Sequence, residues 1–161
     1  MAEEFSILSN SEEDTREIAQ KIAPLFRAGD VLILDGELGA GKTYFVKGFS
    51  AGLHTDDLVS SPTFSIANFY RTERSDILHI DLYRIATVDE LNDLGLSDYF
   101  GQSVTLIEWG KRFADYFEEF LLISFVIKFD NTRILTFRGQ GDKYTSKMNE
   151  LKQSLKGEII C

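Results

Sequence analysis

A glycine-rich segment that ends in a lysine and a hydroxyl is the part of this sequence best suited to chemistry. It reads Gly36-Glu37-Leu38-Gly39-Ala40-Gly41-Lys42-Thr43 and satisfies the pattern G-x-x-x-x-G-K-[ST]. In this pattern the glycines let a tight loop aim backbone N–H groups at phosphates, and the following helix N-terminus adds a favourable dipole. Lys42 is predicted to reach the β and γ phosphates, and Thr43 to place its hydroxyl on Mg²⁺. The sequence therefore predicts a site for ATP and magnesium.

The residues on either side favour a phosphate-binding loop over an ordinary glycine-rich turn with an exposed lysine. A continuous apolar run, Val31-Leu32-Ile33-Leu34, leads into the segment and is typical of a strand buried on both faces. Lys42 to Leu53 is predicted as the helix that follows. Strand, loop and helix in this order are the setting that the phosphate-binding mechanism requires.

Two acidic residues follow hydrophobic strands and are candidates for the metal site. Glu108 comes directly after Val104-Thr105-Leu106-Ile107, and Asp81 lies in His79-Ile80-Asp81-Leu82-Tyr83-Arg84. A phosphate-binding loop needs carboxylates at strand ends to hold the metal and to position water. Glu108 is the stronger candidate for a metal ligand, and Asp81 is expected to assist the metal or the water. The alternative for either residue is a solvated acid at the edge of a sheet.

The elements that must position these residues alternate between strands and helices. Phe5 to Leu8 is predicted as a strand, and Ser11 as the N-cap of a helix that ends at Gly29 and has Ile18, Ile22, Leu25 and Phe26 at helical spacing. After Ser60-Ser61-Pro62, the segments Thr63 to Tyr70 and Ile77 to Leu82 are predicted to form an antiparallel hairpin. Val88 to Leu94 suggests a short helix, and Leu121 to Phe129 with Arg133 to Phe137 a terminal hairpin.

The last part of the chain has the pattern of an amphipathic helix over residues 143–156. Tyr144, Met148, Leu151 and Leu155 recur at helical spacing with lysines between them. We expect this helix to pack on the edge of the domain, in preference to a detachable helix that binds a partner. The predicted fold is α/β: a P-loop NTPase-like three-layer domain with a central mixed, mostly parallel sheet and an antiparallel hairpin insertion.

Length and composition indicate a single folded domain over residues 1–161. Hydrophobic residues make up 43% and charged residues 27% of the 161 residues, as is usual for globular proteins. Asp and Glu outnumber Lys and Arg by 26 to 17, so unaided capture of DNA or RNA by the chain is not expected. The sequence has no apolar run long enough to span a membrane and no signal-peptide pattern, which predicts a cytoplasmic protein without membrane attachment. Cys161 is the only cysteine, so no internal disulfide is expected.

Four motifs together resemble the TsaE family, the bacterial P-loop ATPases required for threonylcarbamoylation of the adenosine beside the anticodon of certain tRNAs. The resemblance covers most of the chain, and the motifs occur in the family's order and at family-like separations. They are Gly36-Glu37-Leu38-Gly39-Ala40-Gly41-Lys42-Thr43, Ser61-Pro62-Thr63-Phe64, His79-Ile80-Asp81-Leu82-Tyr83-Arg84 and Ile107-Glu108-Trp109. Four ordered motifs are far more specific than the phosphate-binding pattern alone.

The resemblance implies a role for each matching position. Thr43 and Glu108 would bind Mg²⁺, Lys42, Asp81 and Glu108 would carry catalysis, and Ser61, Pro62 and Thr63 look like the family's mobile switch loop. The residues implied in ATP binding are Thr15, Gly36, Glu37, Leu38, Gly39, Ala40, Gly41, Lys42, Thr43, Tyr44, Trp109 and Arg133. The implied partners are TsaD, which transfers the threonylcarbamoyl group, and its pseudo-enzymatic partner TsaB. Because no arginine is obviously placed to neutralise transition-state charge, we expect slow ATP hydrolysis that partner proteins stimulate.

The sequence leaves other readings of the phosphate-binding loop open. A small P-loop kinase would use the same cradle, although it needs an acceptor pocket and arginines that close over it, and arginines here are few and scattered. A module that binds ATP without significant hydrolysis is a further alternative. A GTPase switch is disfavoured, because the chain has no Asn-Lys-x-Asp segment to read guanine.

Overall fold

The computed structural model describes residues 3–160, so Cys161 lies outside the described residues. The strands are β1 (Glu4–Ser9), β2 (Val31–Gly36), β3 (Ala67–Tyr70), β4 (Asp76–Asp81), β5 (Ser103–Glu108), β6 (Phe120–Ile127) and β7 (Arg133–Gln140). The α-helices are α1 (Glu12–Ile22), α2 (Lys42–Gly52), α3 (Val88–Asp93), α4 (Ser97–Phe100) and α5 (Asp142–Ser154), and 3₁₀ helices lie at Ala23–Leu25 and Lys111–Tyr116.

The strands form one mixed sheet in the order β1-β7-β6-β2-β5-β4-β3. The central pairs β6–β2, β2–β5 and β5–β4 are parallel. The outer pairs β1–β7, β7–β6 and β3–β4 are antiparallel, which confirms the two predicted hairpins. Because parallel strands end at the same edge of a sheet, the ends of β2, β4 and β5 bring Gly36, Asp81 and Glu108 to one edge.

Helices cover both faces of the sheet and give the predicted three-layer α/β architecture. Leu32 and Leu34 of β2 belong to the core under α1, α2 and α5. Val31 and Ile33 alternate with them and belong to a second core, which includes Leu91 of α3. Within residues 3–160, no helix has both the length and the apolar character needed to cross a membrane.

Helices α1 and α2 pack with their backbones in direct contact. A Cβ atom added at Gly48 would lie 2.0 Å from the carbonyl oxygen of Arg16, and one at Gly52 would lie 2.5 Å from that of Gln20. Only glycine allows an approach this close. The helix that begins at Lys42 is therefore fixed firmly against its neighbour.

Some predicted boundaries are wrong, for identifiable reasons. Helix α1 ends at Ile22 and not at Gly29, because Pro24 follows and cannot donate a helical hydrogen bond. Strand β3 begins at Ala67 and not at Thr63, because residues 63–65 form a turn. Helix α4 and the 3₁₀ helix Lys111–Tyr116 were not predicted.

The C-terminal helix packs on the domain, in agreement with the preferred reading of its pattern. It was expected over residues 143–156 and runs over Asp142–Ser154, with Tyr144, Met148 and Leu151 buried. The Tyr144 hydroxyl donates to Oδ1 of Asp30 at 2.9 Å and accepts from the Val31 amide at 2.7 Å. This buried hydroxyl ties α5 to the start of β2.

The segment after α5 runs along the outer edge of β1. Ile159 forms an antiparallel bridge with Ile7, and the Ile160 amide donates to the carbonyl oxygen of Ser6 at 2.9 Å. The edge of β1 is thereby partly covered.

Candidate nucleotide and metal site

The glycine-rich segment forms the predicted loop between a strand and a helix. Strand β2 ends at Gly36 and helix α2 begins at Lys42. Gly39 and Gly41 have φ angles of 82° and 105°, in the left-handed region that glycine adopts without strain. At Gly36 an added Cβ would lie 2.8 Å from the carbonyl oxygen of Phe125, so only glycine fits there. The loop thus has the backbone shape that its glycines predict.

Two predicted nucleotide-binding residues lie beneath this loop. Arg133 is 2% exposed, and its Nε donates to the carbonyl oxygen of Ala40 at 3.2 Å. Thr15 is fully buried, and its hydroxyl lies 2.6 Å from that of Ser9. An added Cβ at Gly41 would lie 3.4 Å from Arg133 and 3.8 Å from the Thr15 methyl group. The contacts of both side chains support the loop, and direct contact with a nucleotide stays a prediction for them.

Lys42 is buried at the start of α2, with its ammonium group at the centre of the site. Its Nζ donates to the carbonyl oxygen of Gly36 at 2.5 Å and lies 3.6 Å from the centre of the Trp109 ring. Burial lowers the pKa of Lys42, and the negative charges of Glu108, Asp35 and Asp81 oppose that shift. Lys42 is only 4% exposed, and the charges of these three acidic residues act on its buried ammonium group.

A cavity of about 250 Å³ brings most of the predicted site residues together. Its lining consists of Glu12, Leu38, Gly39, Gly41, Lys42, Thr43, Tyr44, Ser61, Thr63, Asp81, Glu108 and Trp109. The hydroxyl of Thr43 and the carboxylates of Asp81 and Glu108 are hard oxygen donors, which suit Mg²⁺. Of the residues between 3 and 160, no arginine lines this cavity.

Asp81 and Glu108 are neighbours across the parallel strands β4 and β5, where they pair in register. Each is only 4% exposed, so the alternative of a solvated acid at a sheet edge is wrong for both. Asp81 accepts a hydrogen bond from the Thr63 hydroxyl at 3.2 Å, and that hydroxyl lies 2.8 Å from the hydroxyl of Ser61. The 61–63 loop therefore contacts one of the two candidate carboxylates directly.

His79 and Tyr70 were assigned no role from the sequence, although hydrogen bonds connect both of them to Glu108. Nε2 of His79 lies 2.6 Å from Oε2 of Glu108, and Nδ1 lies 2.9 Å from the Tyr70 hydroxyl. That hydroxyl lies 2.9 Å from the carbonyl oxygen of Ser60. Burial raises the pKa of Tyr70, which keeps its hydroxyl protonated. The available signal was the period of two in a strand, which puts His79 on the same side as Asp81.

Trp109 follows Glu108 and lies where three cavities meet. It lines the cavity around Lys42 and two neighbouring cavities of about 440 and 590 Å³. Its φ angle is 60°, and its ring makes an edge contact with Tyr83 at 5.1 Å between ring centres. Glu37 and Ala40 line the cavity of about 440 Å³, beside Asp35, another acid that sequence reasoning missed.

A comparison with models of protein families finds a match over most of the chain. The family model "Threonylcarbamoyl adenosine biosynthesis protein TsaE" matches residues 9–135. The chain belongs to the TsaE family. The predicted resemblance to TsaE is thereby confirmed.

Relatives of the TsaE family align over most of the chain. It is 41% identical over 143 residues to the tRNA threonylcarbamoyladenosine biosynthesis protein TsaE of Bacillus subtilis, covering 88% of this chain and 89% of that protein. It is 36% identical over 131 residues to the protein of the same name from Treponema pallidum, covering 80% and 96% of the two chains. The crystal structure of Bacillus subtilis YdiB is similar, with a TM-score of 0.82 at 34% identity over 95% of this chain and 97% of that one. The predicted α/β fold is thus shared with a solved structure.

Proposed function

We propose that this TsaE-family chain is a magnesium-dependent ATPase subunit that acts in threonylcarbamoylation of the adenosine beside the anticodon in tRNA. The observation that carries the proposal is the single cavity lined by Lys42, Thr43, Asp81 and Glu108 at the phosphate-binding loop. This set supplies a cation for phosphates, a hydroxyl and carboxylates for Mg²⁺, and a loop of backbone N–H groups. Its relatives' names place those proteins in the biosynthesis of threonylcarbamoyladenosine in tRNA.

Each residue has a defined part in the proposal. Lys42 and the N–H groups of the 39–43 segment bind the phosphates, and the Lys42 ammonium group offsets the negative charge of the phosphates and of the nearby acidic groups. Thr43 and Glu108 hold Mg²⁺, which when bound stabilises charge on the phosphates undergoing hydrolysis. Asp81 assists the metal or orients water, and its hydrogen bond to Thr63 connects this function to the 61–63 loop. This loop acts as a switch.

The proposed partners are TsaD and TsaB, in the cytoplasm. The absence of arginines from the lining of the cavity, within the part of the chain that the structure describes, supports slow hydrolysis by the chain alone. A partner that orders the 61–63 loop or supplies a cation would raise the rate, by about 10³-fold where an arginine is delivered. The net charge of −9 favours a partner with basic docking surfaces and disfavours unaided tRNA binding.

The experiment measures ATP turnover by the purified chain alone, then with TsaD and TsaB, then with tRNA added, across a salt series. We expect slow turnover alone, stimulation by the two proteins, and weaker stimulation as salt rises because the docking is electrostatic. Fast turnover that ignores the partners would contradict the subunit role. ADP release stimulated by small metabolites instead would favour a kinase, and binding without turnover under every condition would favour a binding module.

A further inference from the structure

Two buried side chains, His79 and Tyr70, connect Glu108 to the backbone at Ser60, immediately before the 61–63 loop. The chain of contacts runs from Glu108 to His79 at 2.6 Å, from His79 to Tyr70 at 2.9 Å, and from Tyr70 to Ser60 at 2.9 Å. Glu108, His79 and Tyr70 are 4%, 0% and 3% exposed. Since water cannot replace these hydrogen bonds, each group depends on its neighbour in the chain.

Counting donors and acceptors shows how this chain of contacts is joined to the backbone. An ionised Glu108 only accepts, so Nε2 of His79 must carry the hydrogen between them. The Tyr70 hydroxyl donates its one hydrogen to the Ser60 carbonyl oxygen at 2.9 Å, and its oxygen faces Nδ1 of His79 at 2.9 Å. The Tyr70 oxygen in turn accepts from the Ser60 amide at 3.3 Å, and the Ser60 carbonyl oxygen accepts from the Asn68 side chain at 3.2 Å. Both polar backbone groups of Ser60 therefore bond the Tyr70 hydroxyl.

The far end of the 61–63 loop is held by the other carboxylate. Thr63 donates to Asp81, which is the register partner of Glu108. The loop closes with the Ile66 amide donating to the Pro62 carbonyl oxygen at 2.7 Å, and Ile66 has a φ angle of 70°. A β-branched residue rarely adopts this angle, so surrounding contacts hold the segment in place.

We propose that His79 and Tyr70 are positioning residues, which orient the Glu108 carboxylate and couple it to the backbone at the start of the 61–63 loop. A movement of Ser60 weakens its hydrogen bond with Tyr70, because hydrogen bonds are steep in distance and angle. Tyr70 and His79 then lose their fixed geometry, and Glu108 loses its orientation toward the cavity. The role of Glu108 toward Mg²⁺ rests on the proposed function, whereas the coupling is a property of the protein itself.

The coupling is tested without nucleotide, by residue-resolved hydrogen exchange of the Ser60 and Ile66 amides. The proteins compared are the parent, Glu108→Ala, Tyr70→Phe and the double variant. Each single change is expected to raise exchange on the order of tenfold, since one buried hydrogen bond is lost. The double variant is expected to exchange no faster than the faster single variant, because both changes break one chain. The coupling would be overturned if the two single-variant increases in exchange rate multiply in the double variant. It would also be overturned if Glu108→Ala leaves exchange of the Ser60 amide unchanged.

Tyr144→Phe is the matched control, since it also removes a buried tyrosine hydroxyl, whose partners are Asp30 and Val31 and not Ser60. It is expected to lower stability and leave exchange at Ser60 and Ile66 unchanged. A similar rise in this control would mean that exchange reports general loosening, and the proposal would fail.

The positioning role is tested by Mg²⁺-dependent ATP hydrolysis with the partner proteins present. Tyr70→Phe and His79→Leu are expected to lower kcat on the order of tenfold at an unchanged KM for ATP, because Lys42 and the phosphate-binding loop stay intact. His79→Gln keeps an N–H for Glu108 and should retain more activity than His79→Leu. Parental kcat in all three variants would overturn the role. If the parent itself hydrolyses no ATP, the proposed function fails, and the exchange experiment still decides the coupling.

Discussion

The Nζ of Lys42 lies 3.6 Å from the centre of the Trp109 ring, so the proposed phosphate-binding cation and the indole are in van der Waals contact. A cation over an aromatic face is stabilised by about 0.5–2 kcal/mol. A ligand whose phosphates attract the Lys42 ammonium group must change the contact between this group and the Trp109 ring. Trp109 is also the only tryptophan in the chain, so its emission needs no correction for other indoles.

The first prediction is a saturable change in Trp109 fluorescence on addition of ADP or ATP. The change is expected because bound phosphates alter both the position of Lys42 and the polarity around the ring. Emission is titrated in the parent and in Lys42→Ala, in which the change should disappear. Unchanged emission at saturating nucleotide would contradict the placement of the nucleotide beside Trp109.

Lys42→Ala is expected to weaken Mg-ATP binding by about 1.5–3 kcal/mol or more, because it removes a charge-assisted contact to phosphate. The remaining Asp81 and Glu108 would then repel the nucleotide without compensation. Calorimetric titration measures the loss. Lys47→Ala is the matched control, since Lys47 lies on the same helix but lines a different cavity, and it should bind like the parent. Equal affinity in parent and Lys42→Ala would refute the phosphate-binding assignment.

Thr43→Ala and Glu108→Ala are expected to impair magnesium-dependent hydrolysis more than nucleotide binding without metal. Both side chains line the cavity as oxygen donors, so their loss removes metal ligands and leaves the backbone N–H groups of the loop. Binding is measured with EDTA and hydrolysis with Mg²⁺. Asp93→Ala serves as the control, because it removes an exposed acid on α3. Losses of equal size in the two measurements would speak against a metal role.

Gly48→Ala is expected to destabilise the protein by about 1–3 kcal/mol, as overpacking does. Alanine favours helices by about 1 kcal/mol over glycine, but its Cβ would lie 2.0 Å from the Arg16 carbonyl oxygen. Because that atom is backbone, the helices must separate, and the clash outweighs the helix propensity. Urea unfolding measures the change. Gly101→Ala is the control, since a Cβ there meets nothing within 4 Å, and a parental midpoint for Gly48→Ala would contradict the close packing.

Tyr144→Phe is expected to lower the free energy of unfolding by about 1–3 kcal/mol at neutral pH, because the Val31 amide and Asp30 lose a buried partner. Burial also raises the pKa of Tyr144 above its ordinary value of 10.0. The unfolded chain therefore releases this proton first, and the contribution is fully present below about pH 10 and is lost as pH rises above it. Unfolding of parent and variant is compared from about pH 8 to about pH 11. Curves that stay parallel across this range would contradict the raised pKa.

The candidate site was predictable where local pattern determines it. The strand before Gly36, the helix after Lys42 and the acids at the ends of β4 and β5 all follow from neighbouring residues, and the structure brings them together. Thr15 and Arg133 were assigned to the nucleotide by resemblance, and their buried contacts beneath the loop depend on β7 reaching β1, which pairs Ser9 with Arg133. No local pattern encodes such a long-range pairing.

The contact of His79 with Glu108 depends on the register between β4 and β5 and on the hairpin that delivers Tyr70. A buried histidine looks the same in sequence whether it bonds a carboxylate or a backbone carbonyl, so its role required the fold. The early end of α1, in contrast, was available from Pro24, which excludes a regular helix beyond that point.

The bridge between Ile159 and Ile7 has a consequence for how copies of the molecule meet one another. An uncovered strand margin is a template on which another chain can add a strand, and this is a common start of aggregation. Ile160 occupies part of that template along β1, and the opposite margin offers only the four residues of β3. Since both edges of the sheet offer little free strand, we expect little association through edge-to-edge strand pairing, even at high protein concentration.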